Sequence, residues 1–219
     1  MALEGLKRAA ARSAPLTRLL FGIRVPSSTA QGHWDWSTLV LFDELKKRAK
    51  PGQRVLEIGT GETGTLSVAL SRLTAGSYLA LDIAEDAIAS ARRVAAENHA
   101  EVEFLQSDLF AAVDGERTFD LTFFNPPYVP RAKSASWKTL GEPARVWDGG
   151  EDGLDVIRRF WIAAEKPGPR LGTILMGFNR QSVPEKEIET LASASGFSVV
   201  GVNRAFHPGT VLSFQSASR

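Results

Sequence analysis

The sequence predicts an α/β protein built on a parallel sheet with helices on both faces. Three observations carry this. Short apolar runs alternate with helical patterns from residue 37 onward. The helical segments have the length of crossover connections, and such alternation means parallel strands. The chemically informative residues also stand just after the apolar runs, where ligands of open α/β sheets sit.

The elements follow in order. Ser37 to Lys50 (STLVLFDELKKRAK) has helical spacing, a Ser/Thr start and a basic last turn, and Pro51-Gly52 ends it. Arg54 to Ile58 (RVLEI) is a short buried strand, followed by a glycine-rich turn and a helix to about Leu73. Tyr78 to Leu81 is a second strand, closed by Asp82. An alanine-rich helix spans Ala84 to His99. Val102 to Leu105 is a third strand, ending near Asp108, and Asp120 to Phe124 is a fourth. Leu154 to Glu165 is a helix stopped by Pro167, and Thr173 to Met176 a fifth strand. Pro184 to Ser195 is a helix ended by Gly196. Phe197 to Val202 and Val211 to Phe214 are two final strands around His207-Pro208-Gly209. The stretch from Val129 to Gly153 reads as a long charged irregular loop, of the kind that usually carries function.

Residues 1–36 form a separate helical segment, placed as a lid ahead of the main domain at 37–219. Leu3, Leu6, Leu16, Leu19, Leu20 and Ile23 have the spacing of a short amphipathic helix pair and are expected to pack on the core. The segment is expected to fold over the carboxyl edge of the sheet, with Trp34 or Trp36 walling a substrate pocket. His33 belongs to the same candidate lid, although packed aromatics are the commoner use of such residues. Trp137 and Trp147 carry the same ambiguity, and His207 reads as a structural turn residue.

Bulk properties exclude several classes. The 219 residues are 43% hydrophobic and 23% charged, with net charge +1. Balanced charge gives no electrostatic case for nucleic acid or membrane. There is no cysteine and there are three histidines, so disulfides, a thiol nucleophile and a metal site are not expected. No apolar run is long enough to span a bilayer, and the basic N-terminus lacks a secretory pattern. The expected location is the cytoplasm.

Glu57-Ile58-Gly59-Thr60-Gly61-Glu62-Thr63-Gly64 follows the first strand and opens a helix. Glycines there permit a tight turn and close backbone approach to a ligand. Asp82 stands where a ribose-binding carboxylate is expected. This much also fits a nicotinamide dehydrogenase. Glu57 would sit badly beside a pyrophosphate, however, and suits an amino-bearing ligand. Asp108 is placed to accept from an adenine amino group, or to cap a helix. Three carboxylates around a glycine turn match a ligand with a ribose, an adenine and an ammonium but no phosphate. S-adenosylmethionine fits that description.

Phe123-Phe124-Asn125-Pro126-Pro127-Tyr128 ends the fourth strand abruptly. Proline lacks an N–H and restricts the residue before it to extended backbone. Asn125 therefore offers a side-chain oxygen and Pro126 a carbonyl at fixed angles. Two such acceptors match the two hydrogens of a planar –NH₂ group, with Tyr128 against a flat substrate. Holding both hydrogens favours a lone-pair-forward nitrogen and stabilises charge developing on it.

Gly59/Gly61, Asp82, Asp108 and Asn125 to Tyr128 together resemble a class I S-adenosylmethionine-dependent methyltransferase that methylates amino groups. The segment Glu142 to Phe160 (EPARVWDGGEDGLDVIRRF) further resembles the PrmC/HemK family of protein-glutamine N5-methyltransferases, which act on the Gly-Gly-Gln loop of translation release factors. The resemblance covers roughly residues 37 to 180. It implies a Rossmann-like, mostly parallel seven-stranded sheet with the last strand antiparallel. It implies cofactor contacts from Glu57, Gly59, Thr60, Gly61, Asp82, Ile83, Asp108, Leu109 and Asn125, and catalytic contacts from Asn125, Pro126, Pro127 and Tyr128. The expected partner is a protein or peptide substrate such as a release factor. The glycine turn is one residue longer than is usual in the family, and Gly32 to Ser37 replaces the usual segment ahead of the first core helix. A nucleic-acid base, a small metabolite or a modified peptide are the other methyl acceptors to weigh, and a catalytically silent scaffold subunit is the non-enzyme alternative.

Overall fold

The computed structural model describes residues 9–27, 33–134 and 144–217. Seven strands form one sheet: β1 (Gln53–Ile58), β2 (Gly76–Asp82), β3 (Glu103–Gln106), β4 (Leu121–Phe124), β5 (Thr173–Asn179), β6 (Phe197–Arg204) and β7 (Gly209–Ser216). The helices are α1 (Ala14–Phe21), α2 (Trp36–Arg48), α3 (Thr65–Leu73), α4 (Glu85–Glu97), the short α5 (Arg131–Ser134), α6 (Asp155–Glu165) and α7 (Glu185–Ala194). Strand order is β3-β2-β1-β4-β5-β7-β6. β1 to β5 are parallel, and β7 runs antiparallel between β5 and β6. The short turn at His207-Pro208-Gly209 makes the last two strands a hairpin, so they must be antiparallel. Chain order reverses between β1 and β4, and the switch point lies there.

Two apolar layers sandwich the sheet. In β1, Val55 faces the layer holding α2, α3 and α4, while Leu56 and Ile58 face the layer holding α6 and α7. In β4, Leu121 and Phe123 face the first layer and Phe124 the second. Side chains alternate faces, and both faces are covered, which is why these central strands read as near-continuous apolar runs. In the second layer Trp161 meets Phe160, Phe197 and Phe214 at 4.7 to 5.3 Å between ring centroids.

Three expectations change. The N-terminal leucines are not the buried face: Leu19 is 80% exposed and Leu20 is exposed too. Leu3 and Leu6 lie outside the described residues. Ile23 is buried as expected, and Thr17, Phe21 and Val25 are buried beside it. Ser13 caps α1 through its hydroxyl, Gly22 ends it at φ 71°, and a helix this short turns one narrow face inward. That face carries Thr17 and Phe21, four residues apart, and Phe21 packs on Phe42 at 5.0 Å. Second, α2 begins before Ser37, because Asp35 is its N-cap and forms a capping box with Thr38. Third, the predicted loop from Val129 to Gly153 is anchored in the core at several of its described residues. Trp147 is buried, and a one-residue bridge pairs Val129 with Asp148. Trp137 lies outside the described residues. Among the described residues no helix is long and apolar enough to cross a membrane.

Candidate active site

A cavity of about 680 Å³ opens at the carboxyl ends of β1, β2, β3 and β4. Every residue predicted for the site lines it: Glu57, Gly59, Thr60, Gly61, Asp82, Ile83, Asp108 and Leu109 on one side, Asn125 to Tyr128 on the other. Residues from the N-terminal segment, among them Leu16, Trp34 and Trp36, complete the wall.

The glycine turn is shaped by backbone sterics. Gly59, Gly61 and Gly64 have φ of 68°, 67° and 55°, which side-chain-bearing residues rarely adopt. A Cβ on Gly59 would also stand 3.2 Å from the Phe124 ring. Asp82 braces this turn. Its Oδ2 accepts from the Gly61 N–H at 2.8 Å and its Oδ1 from the Ala84 N–H at 2.9 Å. Each carboxylate oxygen keeps a lone pair for a hydroxyl of a bound ligand.

Glu57 is buried behind the turn, where its Oε2 accepts from the Thr60 hydroxyl at 2.8 Å. Burial pushes its pKa up to about 7, and the nearby Asp82 charge pushes the same way. A phosphate would meet two acids here, whereas an ammonium would relieve them. The left-handed glycines, the open carboxylate lone pairs and this buried acid fit S-adenosylmethionine. Asp108 departs from the expected free acceptor. It lies two residues past β3, and its Oδ2 is held by Arg159 of α6 at 2.5 Å. An adenine amino group would meet a carboxylate that is already ion-paired.

At the end of β4 the side chains converge on one carboxylate that the sequence reading did not single out, Asp35. Its oxygens accept from the Tyr128 hydroxyl, from the Ser37 hydroxyl at 2.7 and 2.8 Å, and from the Thr38 N–H and hydroxyl, both at 2.7 Å. Asn125 Nδ2 reaches Asp35 Oδ1 at 3.3 Å and Thr38 Oγ1 at 3.1 Å, while Asn125 Oδ1 lies 2.8 Å from Ser37 Oγ. The Asn125 oxygen, expected to face a substrate, therefore has a hydroxyl beside it. Tyr128 is buried, and burial together with the Asp35 charge holds its phenol well above its ordinary pKa. The signal for Asp35 was legible as the Asp-x-x-Thr pattern of a capping box. No sequence signal joins it to Asn125, 90 residues away.

The two motifs far apart in sequence meet in space. Val129 N–H donates to the Trp147 carbonyl at 2.9 Å, Gly149 N–H to the Val129 carbonyl at 3.0 Å, and Arg131 N–H to the Gly150 carbonyl at 2.8 Å. A Cβ on Gly153 would lie 2.5 Å from the Tyr128 carbonyl oxygen. Glycine at this position permits the second motif to clamp the backbone of the first. His33 does not enter the cavity as a free imidazole. Its Nδ1 is 2.9 Å from the Thr17 hydroxyl, and burial lowers its pKa. Trp36 packs on His207 at 4.6 Å between centroids, so the hairpin turn supports the cavity wall.

Comparison with known proteins shows the family and the fold. The methyltransferase small domain model matches residues 25–145. A release factor glutamine methyltransferase of Deinococcus radiodurans is 33% identical over 156 residues, covering 68% of this chain and 53% of the relative. A putative protein N5-glutamine methyltransferase of Methanocaldococcus jannaschii is 38% identical over 106 residues, covering 48% of this chain and 51% of the relative. The chain thus spans about half the length of these curated relatives. Among solved structures, a methyltransferase from Pyrococcus furiosus superimposes with a TM-score of 0.68 over 100% of both chains at 18% identity, a likeness of fold. One cavity thus joins a Rossmann-like sheet, a glycine turn and an Asn-Pro-Pro-Tyr strand end. This chain belongs to the methyltransferase small domain family.

Proposed function

We propose that this protein transfers a methyl group from S-adenosylmethionine to the side-chain amide nitrogen of a glutamine in a protein substrate, of the release-factor type. The observation that carries the reading is that Asn125 to Tyr128 line the same cavity as the glycine turn and Asp82. Glu57 and Asp82, with the turn at Gly59 to Gly61, hold the ammonium and ribose groups of the cofactor, Asp108 faces the adenine with only its Oδ1 clear of Arg159, and Ile83 and Leu109 flank the base. When bound, the cofactor supplies a methyl group on a positively charged sulfur.

Asn125 Oδ1 and the Pro126 carbonyl accept the two N–H groups of the substrate amide. An amide nitrogen is a poor nucleophile because its lone pair is delocalised. Fixing both hydrogens favours a pyramidal nitrogen and stabilises the positive charge that develops on it. Donors or acceptors set in advance at a reacting centre are worth about 10²- to 10³-fold in rate. Holding the nitrogen in line with the methyl group adds a proximity term. No base is needed before transfer, since the nitrogen gives up its proton to solvent after the N–C bond has formed and the S–C bond has broken. Pro127 keeps the strand end rigid, and Tyr128 packs beside the substrate side chain.

Among the described residues of the N-terminal segment, Leu16 and the His33 to Trp36 stretch serve as the acceptor-side wall. A protein substrate suits the net charge of +1 better than a nucleic acid does. The test is transfer of labelled methyl into a release factor or a Gly-Gly-Gln peptide. Asn125→Ala should lower turnover about 10²-fold with cofactor affinity nearly intact. Turnover within a few-fold of wild type on an accepted substrate would overturn the amide-holding role.

A further inference from the structure

The hydrogens around Asp35 can be counted. Thr38 Oγ1 accepts from the Asp35 N–H at 3.1 Å and from Asn125 Nδ2 at 3.1 Å, so its one hydrogen goes to Asp35 Oδ1 at 2.7 Å. The Tyr128 hydroxyl donates to Asp35 Oδ2. Ser37 also has one hydrogen. Its oxygen lies within 2.8 Å of both Asp35 oxygens and of Asn125 Oδ1. A hydrogen bond to a carboxylate is roughly twice as strong as one to a neutral amide oxygen. The Ser37 hydrogen therefore goes to Asp35, and Asn125 Oδ1 is left without it.

The same carboxylate decides which way the Asn125 amide points. Nδ2 faces Asp35 Oδ1 and Thr38 Oγ1. Rotating the amide by half a turn would set its carbonyl oxygen against a carboxylate. We propose that Asp35 is a positioning residue for methyl transfer: it locks the Asn125 amide with Oδ1 presented to the substrate nitrogen, and it draws off the Ser37 hydrogen that would otherwise occupy that oxygen. Through the Tyr128 hydroxyl it also fixes the other end of the strand-end motif. One acid ahead of α2 thus sets the hydrogen-bonding polarity of a site 90 residues away. The inference rests on the glutamine-methylating reading for its catalytic meaning but not for its geometry.

The test is Asp35→Asn. Asparagine caps helices as well as aspartate does, so α2 and the fold should survive. It lacks the charge and offers an –NH₂ group, so the orientation of Asn125 is no longer dictated. Turnover on an accepted glutamine substrate should fall about 10²-fold, with cofactor affinity and melting temperature close to wild type. A cap alone would predict no such split. The second readout is independent of substrate. The Asn125 side-chain amide protons, assigned by NMR as the pair lost in Asn125→Asp, should exchange about tenfold faster or more in Asp35→Asn. Wild-type exchange would overturn the inference, whatever the activity, and so would wild-type turnover in the variant. If the wild-type protein methylates no glutamine substrate, the functional reading fails, while the exchange rates still decide the role of Asp35.

Discussion

Glu57→Gln is a direct test of the buried acid behind the glycine turn. A glutamate whose pKa rises from 4.5 to about 7 on folding resists ionising in the native state. Below about pH 4.5 both folded and unfolded chains hold the proton, and the group costs nothing. Between about pH 4.5 and 7 the unfolded chain ionises while the native protein does not, so stability falls as pH rises. Above about pH 7 the loss is complete, at about 3 kcal/mol for a shift of this size. Glutamine keeps the shape and does not titrate. The stability of Glu57→Gln relative to wild type should therefore rise by about 3 kcal/mol between about pH 4.5 and 8.5. Urea unfolding of both proteins at the two pH values measures this. A difference that does not change with pH would refute the argument that burial, rather than a compensating partner, governs Glu57. An amino-bearing cofactor should reverse the penalty, so wild-type affinity for S-adenosylmethionine should strengthen as pH rises through about 7, and that of the glutamine variant should not.

Asp82→Ala should weaken cofactor binding by about 1–3 kcal/mol, because it removes charge-assisted bonds to the ribose and frees the Gly61 and Ala84 amides. Calorimetry with unchanged affinity would remove Asp82 from the cofactor site. Gly153→Ala should destabilise the protein by about 2 kcal/mol or more, since φ is 87° and the new methyl would press on the Tyr128 carbonyl. It should also lower turnover, and thermal unfolding near wild type would show that the clamp on the strand end is loose. Phe21→Ala should cost about 3–5 kcal/mol in urea unfolding, as expected for a buried aromatic packed on Phe42. A cost under about 1 kcal/mol would make the segment before α2 an appendage.

Much of this protein was legible from local pattern. The alternation of apolar runs and helical spacing made every strand and the order of the elements readable, because burial on both faces leaves a central strand few polar positions. The glycine turn was readable because only glycine takes left-handed backbone freely at three places in six residues. The Asn-Pro-Pro-Tyr end was readable because proline stops a strand whatever surrounds it. These are properties of a residue and its neighbours in sequence. Tertiary structure decided the rest. Which face of α1 turns inward depended on where Phe42 and Trp34 lie, so the leucines at positions 19 and 20 were left in solvent. Asp108 has a pattern indistinguishable from a free acceptor until α6 brings Arg159 against it. Asp35 reads as a helix cap and becomes more than that only when the sheet carries Asn125 and Tyr128 up to it. Hydrogen-bond partners are chosen by distance and direction in space, and residues far apart in the chain acquire both only when the fold closes.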